Sequence, residues 1–169
     1  ATKIEDNDGV YFVPAFNGLG APYWDTEASG TICGMRSGTT KAHIVRAGLE
    51  AMAFQSRDVI TAMEKDAGCT LSELHVDGGA AANSFLMQFQ SDILGSKVIR
   101  PKMLESTALG AAMLAGRTQN LYNENTDTGI IVTDFIFTPK ISTAKRIELC
   151  LGWKNAVVKS KAEVNLLSL

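Results

Sequence analysis

The sequence predicts an α/β fold. A strand–helix–strand series runs through residues 73–100, and a long helical repeat precedes it. Apolar residues make up 46% of the 169 positions and charged residues 20%, enough apolar matter for a core and the length of one ordinary domain. A parallel pair of strands joined by a helix requires a right-handed crossover and a sheet covered by helices.

The elements follow in order. Residues 1–8 are a polar lead-in. "GVYFVPAF" (9–16) is rich in β-formers and closed by Pro14 and then Asn17-Gly18, which predicts a strand entering a loop. The loop 17–30 holds three glycines, and loops of that length are functional or well packed. "TICGM" (31–35) reads as a short buried strand. From Thr40 to about Asp66 the repeat is helical, with Ile44, Ala47, Gly48, Ala51, Gln55, Val59 and Met63 on one face and Gly68 as the stop. The strand at 73–78 and the helix 83–94 follow, the helix carrying an apolar stripe of Phe85, Leu86, Phe89 and Ile93 and ending at Gly95. "KVIR" (97–100) is the next strand. Ser106 and Thr107 are N-cap candidates for the small-residue helix "ALGAAMLAG". Residues 120–140 read as an irregular connection. A terminal helix spans 142–161, with Ile147, Cys150, Leu151 and Val157 inward and Lys145, Arg146, Lys154 and Lys159 outward.

Composition narrows the function. A net charge of −2 gives no electrostatic footprint for nucleic acid or an anionic membrane. No apolar run reaches the length of a membrane span. Cys33, Cys69 and Cys150 are odd in number and lack CxxC spacing, which favours a reducing compartment over a disulfide framework or a zinc site. His43 and His75 have no ligand partners at metal spacing, and Asp25, Asp58, Asp77 and Asp92 are not paired with any nucleophile, so no metal site and no catalytic residue is assigned.

The turn "DGGAAAN" (77–83) is the strongest candidate site. Ligands of α/β proteins bind at the carboxyl ends of parallel strands. A helix amino terminus offers free N–H groups to phosphate, and glycine lets backbone approach a ligand. Gly78, Gly79 and Asn83 are therefore candidate nucleotide contacts. The spacing is neither GxGxxG nor GxxxxGK[ST], and from spacing alone a plain strand-to-helix turn capped by Asn83 is the favoured reading.

"VYFVPAFNGLGAPYWD" (10–25), "HVDGGAAANSFLMQFQSDILG" (75–95) and "ESTALGAAMLAG" (105–116) resemble the carboxyl-terminal part of the FGGY carbohydrate kinases, above all its glycerol-phosphorylating members. Residues 30–50 are similar to that family's second signature, with Gly34-Met35, His43-Ile44 and Ala47 to Glu50 in place. Gly48 departs from it, and a glycine inside a helix costs about 1 kcal/mol against alanine. The resemblance is dense from residue 10 to about 118 and loose beyond.

It implies an actin-like (ribonuclease H-like) ATPase domain, its carboxyl-terminal half and incomplete. ATP, with Mg²⁺, would phosphorylate glycerol in a cleft between two domains. Gly79 and Asn83 would contact the adenine nucleotide on this side. The polyol pocket and the catalytic base would belong to a part preceding Ala1, so the fragment alone is expected to be inactive. The resemblance also implies a homo-oligomer. An exposed apolar face is expected on helix 40–66 and strand 10–16, and a cytoplasmic location is expected, the terminal Leu167-Ser168-Leu169 lacking the basic residue of a peroxisomal address. Another sugar kinase of the family, or a non-catalytic actin-like binding module, are the competing readings.

Overall fold

The computed structural model describes residues 3–119 and 132–161. The described residues fall into two compact units, one formed by residues 3–70 with 140–161 and the other by 71–119 with 132–139. The terminal Leu167-Ser168-Leu169 lies outside the described residues.

In the first unit, β1 (Tyr11–Val13) and β2 (Thr31–Cys33) form an antiparallel hairpin in which Tyr11 faces Cys33, Phe12 faces Ile32 and Val13 faces Thr31. Both strands are shorter than the β-rich runs suggest. The loop between them is pinned instead by side chains: Asp25 accepts from the amides of Glu27 and Ala28, and Leu19 and Asp25 exchange backbone bonds.

Helix α1 (Lys41–Ala67) begins at Thr40 and stops at Gly68. His43 has a local task at its start, its Nδ1 accepting from the Thr40 amide at 3.0 Å. The buried face of α1 departs from the expected one. Ala47 and Ala51 are buried as expected, and Phe12 lies 3.4 Å from where a Cβ would stand on Gly48. The stripe then continues through Glu50, Phe54 and Asp58, while Val59 is 37% and Met63 63% exposed. Two acids were passed over because the periodic reading counts apolar residues, yet both are buried with partners. Glu50 accepts from Asn7 and Arg46, each at 2.7 Å; burial raises its pKa, and the two donors hold it down.

The terminal helix, α4 (Thr143–Ser160), is capped by Ser142, whose side chain accepts from the Lys145 amide. Cys150, Trp153, Ala156 and Val157 are buried, so Cys150 and Val157 stand as expected. Ile147 and Leu151 do not: they are 54% and 56% exposed, because Trp153 and Ala156 turn the buried face away from them. Trp153 stacks on Phe54 with centroids 5.1 Å apart.

Tyr11 and Tyr23 tie this unit together and hold their protons. Burial first, then the charge of Glu50, pushes the Tyr11 pKa up to about 12. Burial and a 2.7 Å hydrogen bond to Asp58 push Tyr23 higher still. A phenol whose pKa is raised by folding stabilises the fold fully below its unfolded value near 10 and loses that contribution as pH climbs from there through the raised folded value. Phenolate absorbance should therefore show these two rings titrating together with unfolding. A simple reversible titration of both near pH 10, with the fold intact, would refute their burial.

In the second unit, β3 (Glu73–His75) pairs parallel to β4 (Lys97–Pro101), with Leu74 beside Val98. Helix α2 (Ser84–Leu94) makes the crossover and ends at Gly95. Its stripe of Leu86, Phe89 and Ile93 is buried, and so are Met87, Gln90, Ser91 and Asp92, so the helix is covered on more than one face. Helix α3 (Ser106–Thr118) starts one residue earlier than the cap candidates suggest. Glu105 occupies the N-cap position without a side-chain bond, and Ser106 and Thr107 lie in the first turn.

Residues 120–140 were read as irregular. Part of that range, Thr133–Phe137, is a strand, β5, running antiparallel to β4 with Val98 facing Phe137 and Ile99 facing Ile136. The order is β3-β4-β5, which leaves β3 at an edge among the described strands. Residues 120–131 lie outside the description.

Among the described residues no helix is long and apolar enough to cross a membrane, and the three cysteines are free thiols. Exposed apolar side chains do line α1, at Val45, Met52, Val59 and Met63.

Candidate functional site

Strand β3 ends at His75, and the chain leaves it through Val76 and Asp77 into the glycine pair. Gly78 has φ +78°, a conformation that side chains with a Cβ rarely adopt, and its amide donates to the Leu104 carbonyl at 2.7 Å. Gly79–Ala82 then form one turn of 3₁₀ helix, closed by Ala81 N–H on Gly78 O and Asn83 N–H on Ala80 O. Gly79 is exposed, and a Cβ built on either glycine meets nothing within 4 Å. The glycines therefore face open space rather than a packed neighbour. Gly78 serves the backbone path, whereas packing gives no reason for Gly79.

Asn83 is the N-cap of α2. Its Oδ1 accepts from the amides of Phe85 and Leu86, at 3.1 and 3.2 Å. The plain capping role left open by the sequence is thus real. It uses only the oxygen: among the described residues the Nδ2 group has no partner, so a donor remains beside the turn.

Arg100, which the sequence reading missed, fastens the turn to the sheet. From β4 its guanidinium donates to the Ala81 carbonyl and the Ser84 hydroxyl, each at 3.2 Å. It pairs with Asp134 of β5 at 2.8 Å and lies over the Phe137 ring. A lone arginine in a short strand carries no periodic signal, and its main partner lies in the segment read as irregular. Arg100→Ala should lower stability by about 1–2 kcal/mol, from several lost charged hydrogen bonds on a mostly covered group. Arg100→Lys should recover little, since an ammonium cannot reproduce the planar fork. Urea unfolding of the two variants checks this, and equal stability of Arg100→Ala and the parent would remove Arg100 from this role.

Beside the turn, a cleft of about 340 Å³ opens at the carboxyl ends of β3 and β4, between His75, Asp77, Ile99, Pro101, Ser106 and Thr133. This is where a ligand of a parallel sheet is expected. The other acids singled out from the sequence are engaged elsewhere. Asp25 organises its loop, Asp58 is buried under Tyr23 and Trp153, and Asp92 accepts from Gln88. His75 is exposed and contacts Glu73 at 3.2 Å. No group of three or more acids, histidines or cysteines able to hold a metal occurs among the described residues.

Residues 2–118 match the carboxyl-terminal domain of the FGGY family of carbohydrate kinases. The chain belongs to that family, and its architecture is the actin-like ATPase fold of these kinases. Within the family the likeness runs to glycerol kinases. That of Saccharolobus islandicus (strain M.14.25 / Kamchatka #1) is 56% identical over 161 residues, covering 95% of this chain and 32% of the relative. The glycerol kinase of Petrotoga mobilis is likewise 56% identical, over 162 residues. The solved structure of Plasmodium falciparum glycerol kinase with ADP superposes with a TM-score of 0.86 at 37% identity, over 96% of this chain and 33% of that one. A xylulose kinase from Rhodospirillum rubrum, at 24% identity and a TM-score of 0.69, shares the fold. The chain spans about a third of the length of these relatives and corresponds to the carboxyl-terminal part of a glycerol kinase.

Proposed function

We propose that this chain forms the adenine-nucleotide side of an ATP site, in an enzyme that transfers the γ-phosphoryl group of ATP to glycerol. The observation that carries the reading is Gly79: it faces open space at the carboxyl end of a parallel strand, next to a free Asn83 amide. The likeness to an ADP-bound glycerol kinase supports a nucleotide as the occupant.

In this reading Gly78 sets the path of the turn. Gly79 lets the nucleotide come down onto the backbone, and Asn83 donates from Nδ2 while its oxygen keeps α2 capped. Arg100 holds the turn still. Phosphoryl transfer depends on positioning and charge stabilisation by several groups. Mg²⁺ would arrive with ATP, bound through its phosphates; among the described residues no group of three or more acids, histidines or cysteines could hold it unaided. The same reading places the enzyme in the cytoplasm and makes it a homo-oligomer, with the apolar side chains along α1 available to a second copy.

The chain alone should not phosphorylate glycerol, because in this reading it supplies only the nucleotide side of the site, and phosphoryl transfer needs several positioned groups at once. A coupled assay of ADP release by the purified chain tests this. Glycerol-dependent turnover above background would overturn the division of labour proposed here.

A further inference from the structure

A second polar groove belongs to the first unit, between α1 and α4. It has a volume of about 180 Å³ and is lined by Arg57, Arg146, Ile147, Cys150, Leu151 and Lys154. Three of its six lining residues are cations, and none is an acid.

These cations are poorly neutralised. Arg146 and Lys154 form no ion pair with any described residue. Arg57 reaches only Asp58, at 4.0 Å, the outer limit of an ion pair. The other oxygen of Asp58 is taken by Tyr23 and Trp153. All three positive charges reach one point inside the groove: burial and the Asp58 carboxylate raise the pKa of the Cys150 thiol, while Arg57, Arg146 and Lys154 each pull it down. Cys150 is 6% exposed and forms the floor. Ile147 and Leu151, one helical turn apart and both more than half exposed, supply an apolar side to the same groove.

Like charges held together repel, and an anion placed among them relieves that repulsion while gaining charge-assisted hydrogen bonds. A phosphomonoester carries about 1.5 to 2 negative charges at neutral pH, and arginine meets its oxygens in pairs. The groove has room for about six waters at ~30 Å³ each, which suits a phosphate with a short organic body. It is too small to seat a folded partner element.

We propose that this groove binds a small phosphomonoester, with the phosphate among Arg57, Arg146 and Lys154 and an apolar body against Ile147 and Leu151. The inference does not rest on the nucleotide reading, since every residue it uses lies on α1 or α4.

Calorimetric titration of the 169-residue chain with phenyl phosphate, at low salt, tests it. Saturable binding is expected, at least ten times weaker in the double variant Arg146→Gln/Lys154→Gln and weaker as salt is raised. Leu151→Ser should weaken phenyl phosphate several-fold while leaving inorganic phosphate unchanged. Both substituted faces are at the surface, so melting temperatures should stay near the parent's and confirm that the variants fold. Absence of saturable binding, or undiminished binding by the folded double variant, would overturn the proposal. Equal affinity for phenyl and inorganic phosphate would overturn the apolar half of the site.

Discussion

Asp58→Ala should cost the first unit about 3–5 kcal/mol, enough to unfold many domains of this size. The Asp58 carboxylate is 7% exposed and accepts from Trp153 Nε1 at 2.6 Å and from the Tyr23 hydroxyl at 2.7 Å. Three segments far apart in sequence meet there: the 17–30 loop, α1 and α4. Truncation removes two charge-assisted hydrogen bonds, each about 1.5–3 kcal/mol, and leaves the buried indole N–H without an acceptor. The Phe54–Trp153 stack would keep its apolar contacts and so limit the loss. Asp58→Asn keeps the shape and one acceptor oxygen, and should cost roughly half as much. Urea unfolding of the two variants separates these terms. A loss below about 1 kcal/mol for Asp58→Ala would mean that Trp153 and Tyr23 are held by packing alone.

Gly34→Ala is expected to be as damaging for a different reason. Gly34 follows β2 with φ +82°, and a Cβ there would overlap the carbonyl of Gly9. Both colliding groups are backbone, so neither can turn aside. The left-handed conformation alone costs an L-residue about 1–2 kcal/mol, and relieving the overlap must displace the chain next to β1. A total of 3 kcal/mol or more is expected, on the scale of a severe core defect. A midpoint of denaturation close to the parent's would show that the Gly9–Gly34 approach is not fixed. In the second unit Gly79 is the contrasting case, where the added atom meets nothing.

Much of this was legible in the sequence, and the exceptions share a cause. Hydrophobic periodicity found α1, α2, β4 and α4 to within a residue or two, because each presents a repeated apolar pattern bounded by glycine, proline or a capping serine. It misplaced faces where polar groups are buried. Glu50 and Asp58 are interior because Arg46, Asn7, Tyr23 and Trp153 satisfy them, and no periodic count anticipates partners up to 95 residues away. It credited Ile147 and Leu151 with burial that Trp153 and Ala156 take. It missed β5, since "TDFIF" is short and stands beside a polar run, and with it the Arg100–Asp134 pair. The glycine turn was visible as a turn. That Gly79 faces open space, and that Asn83 caps with its oxygen only, are matters of geometry.

Gly79→Val in a full-length kinase carrying this segment is the most direct test of the nucleotide seat. The side chain would enter the space proposed for the nucleotide and touch no protein atom within 4 Å at its Cβ, so folding should be spared. The KM for ATP should rise at least ten-fold, with the KM for glycerol and the melting temperature close to the parent's. An unchanged KM for ATP in the folded variant would contradict the account and leave the glycine pair as a turn with no ligand.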